Sequence, residues 1–289
     1  MINAWRFGAL RVLFRGACSV LLTVLSVSAV SETVESPFKS LDGEWAQGTI
    51  VRGQVRPGTE IQFLDRQVRV SDSGHFVIGL GRDFEPEARL LTRAPDGEER
   101  EHLFEVRQRE YRIQRVDGVP QQTVTPDPEQ VKRSREEAAQ AWRARQVETD
   151  LLDFTETFVW PLRGRITGVY GSQRIFNGEP RAPHFGVDIA APTGTPVRAP
   201  AAGVVTLTHP DMFFSGGTLI VDHGHGLSST FIHLHKILVE EGERVAQGDI
   251  IAEVGATGRA TGPHLDWRMN WFDQRVDPTF LVGPMDDDD

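Results

Sequence analysis

Gly262-Pro263-His264-Leu265-Asp266-Trp267-Arg268-Met269-Asn270-Trp271 is the stretch on which the fold turns. From His264 onward polar and apolar residues alternate without a break. His264, Asp266, Arg268 and Asn270 fall on one side, and Leu265, Trp267, Met269 and Trp271 on the other. A period of two predicts a β-strand with one buried apolar face and one wet polar face. Residues two apart on a strand project the same way, so the imidazole of His264 and the carboxylate of Asp266 arrive at one place.

Upstream, Pro183-His184-Phe185-Gly186-Val187-Asp188 carries a histidine and an aspartate at a spacing that would suit two ligands on a helix. Gly186, β-branched Val187 and the following Pro192 disfavour helix, so His184 and Asp188 are expected on a loop entering a strand. Between the two clusters lies Thr230-Phe231-Ile232-His233-Leu234-His235, whose two histidines are expected to share a strand face. Metal chemistry here requires all three segments to converge.

The surrounding text is also β-like. Gly164-Arg165-Ile166-Thr167-Gly168, Gly203-Val204-Val205-Thr206-Leu207, Thr218 to Asp222, Leu227 to Phe231 and Asp249 to Val254 read as short strands among many glycines. No useful helical period appears after Phe158, so residues 156–284 are expected to form an almost entirely β domain whose loops carry the polar clusters. Residues 38–118 hold another series of short alternating runs, separated by turn signals such as Arg56-Pro57-Gly58 and Asp72-Ser73-Gly74. They predict a small β-sandwich acting as spacer or binding module, with His75 and His102 as surface or packing residues.

The segment 125–152 reads as a connecting helix running to about Asp150: Asp127 caps it, Pro128 fits its first turn and Gln130 completes a capping box. Its few apolar positions, Val131, Ala138, Trp142 and Val147, predict one thin stripe laid on a neighbour.

The chain has 289 residues, one cysteine and a formal net charge of -10. Nucleic acid is thereby excluded as an expected partner, since phosphate binding needs clustered Lys and Arg. Residues 1–31 resemble a secretory signal, with Arg6, Arg11 and Arg15 before an apolar core from Ala17 to Val30 and small residues Ser28, Ala29 and Ser31 for cleavage. Cleavage would remove Cys18 and any stable membrane span, leaving an exported, cysteine-free protein for the periplasm or cell envelope. The acidic run at the end, within 285–289, is expected to be disordered.

Several motifs, in order, resemble the LytM and lysostaphin family of zinc peptidases, which cut peptide bonds in bacterial peptidoglycan. They are His184-Phe185-Gly186-Val187-Asp188, Gly194-Thr195-Pro196-Val197, Thr230-Phe231-Ile232-His233-Leu234, Gly248-Asp249-Ile250-Ile251 and Gly262-Pro263-His264-Leu265. The resemblance covers about Phe158 to Val282. It implies a duplicated hybrid motif fold, a peptidoglycan peptide as substrate, and one divalent ion, Zn2+. It further implies that His184 and Asp188 hold the metal while His233 and His264 are the catalytic histidines.

The third metal position falls on Asp266, where the family has histidine. Aspartate is an ordinary zinc ligand at about the same bond length. Two carboxylates cancel the formal charge of a dication, however, so its Lewis acidity is expected to fall and its preference to drift toward Mn2+. A rival reading takes the exchange as the mark of a metal-free relative that binds peptidoglycan or activates a separate cell-wall amidase. Serine and cysteine nucleophiles are excluded, because there is no Gly-x-Ser-x-Gly elbow and the one cysteine sits in the signal. His-Glu-x-x-His is absent too. His209, His223, His225 and His235 are read as loop, turn or rim residues. Arg268 and Asn270 are expected in solvent, unless they orient Asp266 from behind.

Overall fold

The computed structural model describes residues 36–118 and 125–285. The segment 1–31 read as a signal, with Cys18, and the acidic run 286–289 lie outside the described residues. From Ser36 onward the chain forms one compact unit, mainly β with a single long helix among the described residues.

The N-terminal part supplies β1 (Phe38–Asp42), β2 (Ile50–Val55), β3 (Glu60–Phe63), β4 (Arg66–Val68), β5 (His75–Gly79), β6 (Glu87–Arg93) and β7 (Glu99–Glu105). They make a sheet ordered β1-β2-β5 and a second ordered β4-β3-β6-β7. β6 shows why the reading by period two works: Ala88, Leu90 and Thr92 are buried while Glu87, Arg89, Leu91 and Arg93 are exposed. The core of these sheets is continuous with that of the C-terminal part. Phe63 lies 5.9 Å from Trp271, and a side chain added at Gly79 would run into Trp271 Cβ at 2.7 Å.

β8 (Ile113–Val116) leaves those sheets. It pairs in parallel with β10 (Gln173–Phe176), which also carries β11 (Glu179–Pro180).

The helix α1 runs Pro128–Arg145, with Asp127 as N-cap and the capping box with Gln130 formed in both directions. It stops short of Asp150, at the C-cap Gln146. Its packing face also differs from the expected stripe. Ala144 and Glu137 are the buried positions, Ala144 and Ala141 lie against Leu207, Met212 and Ile220, and Trp142 is 52% exposed. Glu137 is tolerated there because both its oxygens are bonded, one by the Phe213 N–H at 2.7 Å and one by Arg133 at 2.6 Å.

The rest is β9 (Arg165–Gly168), β12 (Val187–Ala190), β13 (Pro196–Arg198), β14 (Gly203–Met212), β15 (Gly216–Asp222), β16 (Leu227–Leu234), β17 (Lys236–Ile237), β18 (Arg244–Val245), β19 (Ile250–Glu253), β20 (His264–Trp271) and β21 (Gln274–Val276). The main sheet has eight strands, ordered β18-β14-β15-β16-β20-β12-β9, with β21 added on β20. A small sheet β13-β19-β17 accompanies it. β15 and β16 are buried along their whole length, as strands covered on both faces must be.

The stretch His264–Trp271 is a strand, flanked by β12 and β16. Leu265, Trp267, Met269 and Trp271 face the core as expected. The polar side is not wet, however: Asp266 and Asn270 are buried as well. A central strand is covered on both faces, and that turns its polar row into a set of groups obliged to find partners.

Candidate metal centre

His184, Asp188 and Asp266 are brought together by register. β12 and β20 run antiparallel with Asp188 directly opposite Asp266, and His184 stands just before β12. Each residue offers a ligand atom, and the three atoms lie within 4.8 Å of one another. His184 Nε2 is 3.0 Å from Asp188 Oδ1 and 3.2 Å from Asp266 Oδ2. Ligands bound at about 2.0 Å around a tetrahedral ion are separated by roughly these distances. Asp188 Oδ1 is buried and makes no hydrogen bond. An acceptor left in that state fits a cation better than it fits an apolar core. On this geometry and donor chemistry the set fits a divalent metal.

Two glycines make the approach possible. At Gly168, opposite Asp188 on β9, a Cβ would overlap Asp188 Oδ2 and stand 2.7 Å from its Cγ. At Gly186 a Cβ would overlap Asp266 Oδ1 and lie 2.6 Å from Arg268 Cγ. Both glycines serve close packing of the carboxylates; neither has a left-handed backbone.

Each carboxylate also meets a guanidinium. Arg174, on β10, reaches Asp188 Oδ2 at 2.6 Å. Arg268 takes both oxygens of Asp266, Nε to Oδ1 at 2.9 Å and a terminal nitrogen to Oδ2 at 2.6 Å. Burial pushes the Asp266 carboxyl up, but Arg268 and His184 outweigh it and hold it well below the carboxylate range. Burial and Asp266 likewise act against ionised Asp188, and His184 with Arg174 hold it below its usual value.

His233 and His264 flank this cluster. Their rings lie 4.8 Å apart, and His264 Nε2 is 3.8 Å from Asp188 Oδ1. His233 Nδ1 is 2.8 Å from Thr257 O and His264 Nδ1 is 2.8 Å from Gly262 O. A carbonyl oxygen only accepts, so Nδ1 carries a proton in each ring and Nε2 is the nitrogen left for other partners. Burial pushes His233 down to about 4, which keeps that ring neutral. His184 points Nδ1 at Val169 O, 3.3 Å away, and so turns Nε2 toward the carboxylates.

His233 does not sit on a regular strand. It has φ of 65°, at an irregularity where β16 carries an extra residue against β15. The shared face expected for His233 and His235 is therefore not formed, and His235 lies exposed beyond the strand end. Non-glycine residues in the left-handed region cost energy and persist where surrounding structure imposes them. Here the His233 N–H donates to Ser215 O at 2.7 Å.

The site opens into a cleft of about 330 Å³, lined by Arg165, Arg174, Asp188, His233, Arg259 and His264 and walled by Gln114 and Val116 of β8. A larger cavity, of about 720 Å³ and lined by Phe63, Arg82, Phe84, Phe185 and Arg275, holds no donor cluster of this kind among the described residues.

Two further histidines, His223 and His225, are buried and bonded within the fold. His223 is fully buried between Ala202 O at 2.7 Å and Ser229 Oγ at 2.8 Å. His225 bonds Arg69 O at 3.1 Å and packs on Phe154. Arg268 is not the solvated residue that its alternation suggested, since it sits against Asp266. Arg174, Arg165, Arg259 and Gln114 are site residues that sequence reading missed, and no spacing or motif marks them. Gly168 and Gly186 were visible only as glycines.

The family model described as peptidase family M23 matches residues 182–278. Peptidoglycan DD-endopeptidase ShyA of Vibrio cholerae is 40% identical over 108 residues, 36% of this chain and 24% of that protein. DD-carboxypeptidase/endopeptidase Mpg of Neisseria meningitidis is 40% identical over 101 residues, 35% of this chain and 23% of that protein. The chain thus spans about a quarter of the length of these curated relatives. A crystal structure of a putative peptidase M23 from Pseudomonas aeruginosa matches more broadly, at 32% identity with a TM-score of 0.66, over 83% of this chain and 96% of that one. That breadth covers the N-terminal sheets as well as the metal-donor strands, and the chain belongs to peptidase family M23.

Proposed function

We propose that the protein is an exported metal-dependent peptidase that hydrolyses peptide bonds in bacterial peptidoglycan. The observation carrying this reading is the meeting of His184 Nε2, Asp188 Oδ1 and Asp266 Oδ2 beside two imidazoles whose Nδ1 atoms are engaged by carbonyl oxygens. A divalent ion held by the three donors, Zn2+ by the likeness to the zinc peptidases, would supply Lewis acidity toward the scissile carbonyl and toward water.

This chain's own residues do the rest. His233, held neutral, accepts a proton through Nε2 as water is consumed. His264, across the ring gap and nearer Asp188, acts as the imidazolium, with Nε2 protonated as well as Nδ1, and in that form stabilises the developing oxyanion or gives the Nε2 proton to the leaving nitrogen. Thr257 O and Gly262 O accept from Nδ1 of the two rings, which leaves Nε2 as the nitrogen that exchanges protons. The names of the relatives ShyA and Mpg support a D,D cross-link as the bond cut, and residues 1–31 support export.

The cationic partners favour one second reading. With Arg174 on Asp188 and Arg268 on Asp266, a relative that holds no metal and binds peptidoglycan or activates an amidase also has support. Metal analysis of the purified protein and digestion of peptidoglycan with and without chelator separate the two. The peptidase reading expects about one zinc per chain, with cleavage lost on chelation and in Asp188→Ala. Metal-free protein without cleavage supports the second reading, and cleavage that survives both treatments defeats the metal assignment.

A further inference from the structure

Asp266 has a companion that a histidine in its place would not need. Arg268 lies two residues on along the same strand, and its guanidinium makes a fork of two hydrogen bonds to the two oxygens of Asp266. The carboxylate is fully buried and the arginine side chain is 24% exposed. The pair is closely fitted, because a Cβ at Gly186 would strike both partners. Arg174 treats Asp188 differently. It bonds only Oδ2 and leaves Oδ1, which faces His184 and His264, without a hydrogen bond.

We propose that Arg268 is a positioning residue whose charge makes Asp266 an electrically neutral ligand, so that the Asp266–Arg268 pair replaces one imidazole; this rests on the metal-dependent reading above. Counting the donors with Arg268 and setting aside Arg174, which leaves Oδ1 of Asp188 free, histidine, Asp188 and the pair then present one net negative charge, as two histidines and one aspartate do. Without Arg268 the same donors would present two. The expected drift toward manganese and the loss of Lewis acidity follow from two uncompensated carboxylates, and the fork removes that condition. It also fixes the carboxylate plane, which places Oδ2 toward His184 Nε2.

The test is a double-variant cycle read by metal affinity, using Zn2+ and Mn2+ separately in competition with a chromophoric chelator. Arg268→Gln leaves a buried, uncompensated carboxylate, so affinity for both ions is expected to rise about tenfold or more and the zinc-over-manganese ratio to fall. Asp266→His leaves Arg268 unpaired beside the ion, and zinc affinity is expected to fall about tenfold. The double variant Asp266→His/Arg268→Gln is expected to return to within about threefold of the wild type.

Single variants moving affinity in the same direction, or a double variant no better than the poorer single, would overturn the proposal while leaving zinc binding by the wild type intact. Zinc binding by Arg268→Gln but not by the wild type would overturn it and the metal-dependent reading together, since Arg268 would then be occupying the site. Should Arg268→Gln fail to fold, Arg268→Lys keeps the charge and loses the fork. Its zinc-over-manganese ratio is expected within about threefold of the wild type even where the lost fork weakens binding of both ions, and a tenfold fall in that ratio counts against charge as the cause.

Discussion

Asp188 and Asp266 are cross-strand partners on adjacent antiparallel strands, and their carboxylates share one buried imidazole, His184. Two like charges in that position repel unless something between or behind them is positive. Arg174 and Arg268 stand behind, and His184 stands between.

The room for these carboxylates comes from glycine, so Gly168→Ala is expected to displace Asp188 and lower zinc affinity by at least about tenfold while the fold survives. Competition titration of zinc together with circular dichroism checks this. Unchanged affinity in a folded Gly168→Ala protein would show that the overlap is relieved without moving the ligand.

Holding metal and moving protons are assigned to different histidines. Replacing His184 by alanine is expected to lose bound zinc. Replacing His233 or His264 by alanine is expected to keep zinc and lower kcat by about a hundredfold or more. Metal content measured alongside peptidoglycan cleavage separates the classes, and loss of zinc in both His233→Ala and His264→Ala would merge them.

Acid should destabilise the fold through its structural histidines. Burial pushes both His223 and His225 down to about 4. The unfolded chain therefore binds more protons than the folded one between about pH 6.5 and 4, and stability is lost as pH falls through that window. Asp222, pushed up to about 6 by burial, works in the opposite sense below that pH and offsets part of the loss. The contribution of one group is isolated by difference: the Tm advantage of the wild type over His223→Asn is expected to shrink from pH 7 to pH 4.5. A constant difference would mean that His223 does not titrate with unfolding.

On α1, the two conspicuous residues should behave in reverse of their hydropathy. Trp142 is half exposed, so Trp142→Ala is expected to change stability by less than about 0.5 kcal/mol. Glu137→Ala removes the acceptor of the half-buried Phe213 N–H and is expected to cost about 1–3 kcal/mol. Urea unfolding of the two variants decides the order.

Strand content, the helix cap and the five residues of the candidate site were legible because each depends on local period or on a short motif. His264 and Asp266 were read as neighbours from alternation alone. Their burial was not legible, because alternation reports which residues share a face and says nothing of what covers it. The same limit left Arg268 open between solvent and a place behind Asp266, and the cover over a strand flanked on both sides decided for the second. The regular-strand reading of His233 and His235 failed at one extra residue in β16, a bulge that no residue type announces.

By itself the sequence determined an all-β C-terminal part, a capped helix and a set of imidazoles and carboxylates suited to a metal, since these follow from side-chain chemistry and from periods of two or 3.6. Only the tertiary structure decided that Arg174 and Arg268 stand behind the carboxylates, that glycines at 168 and 186 give them room, and that β8 walls the cleft. The physical reason is that these relationships join strands distant along the chain, where register and covering layers, rather than local preference, set which charges meet.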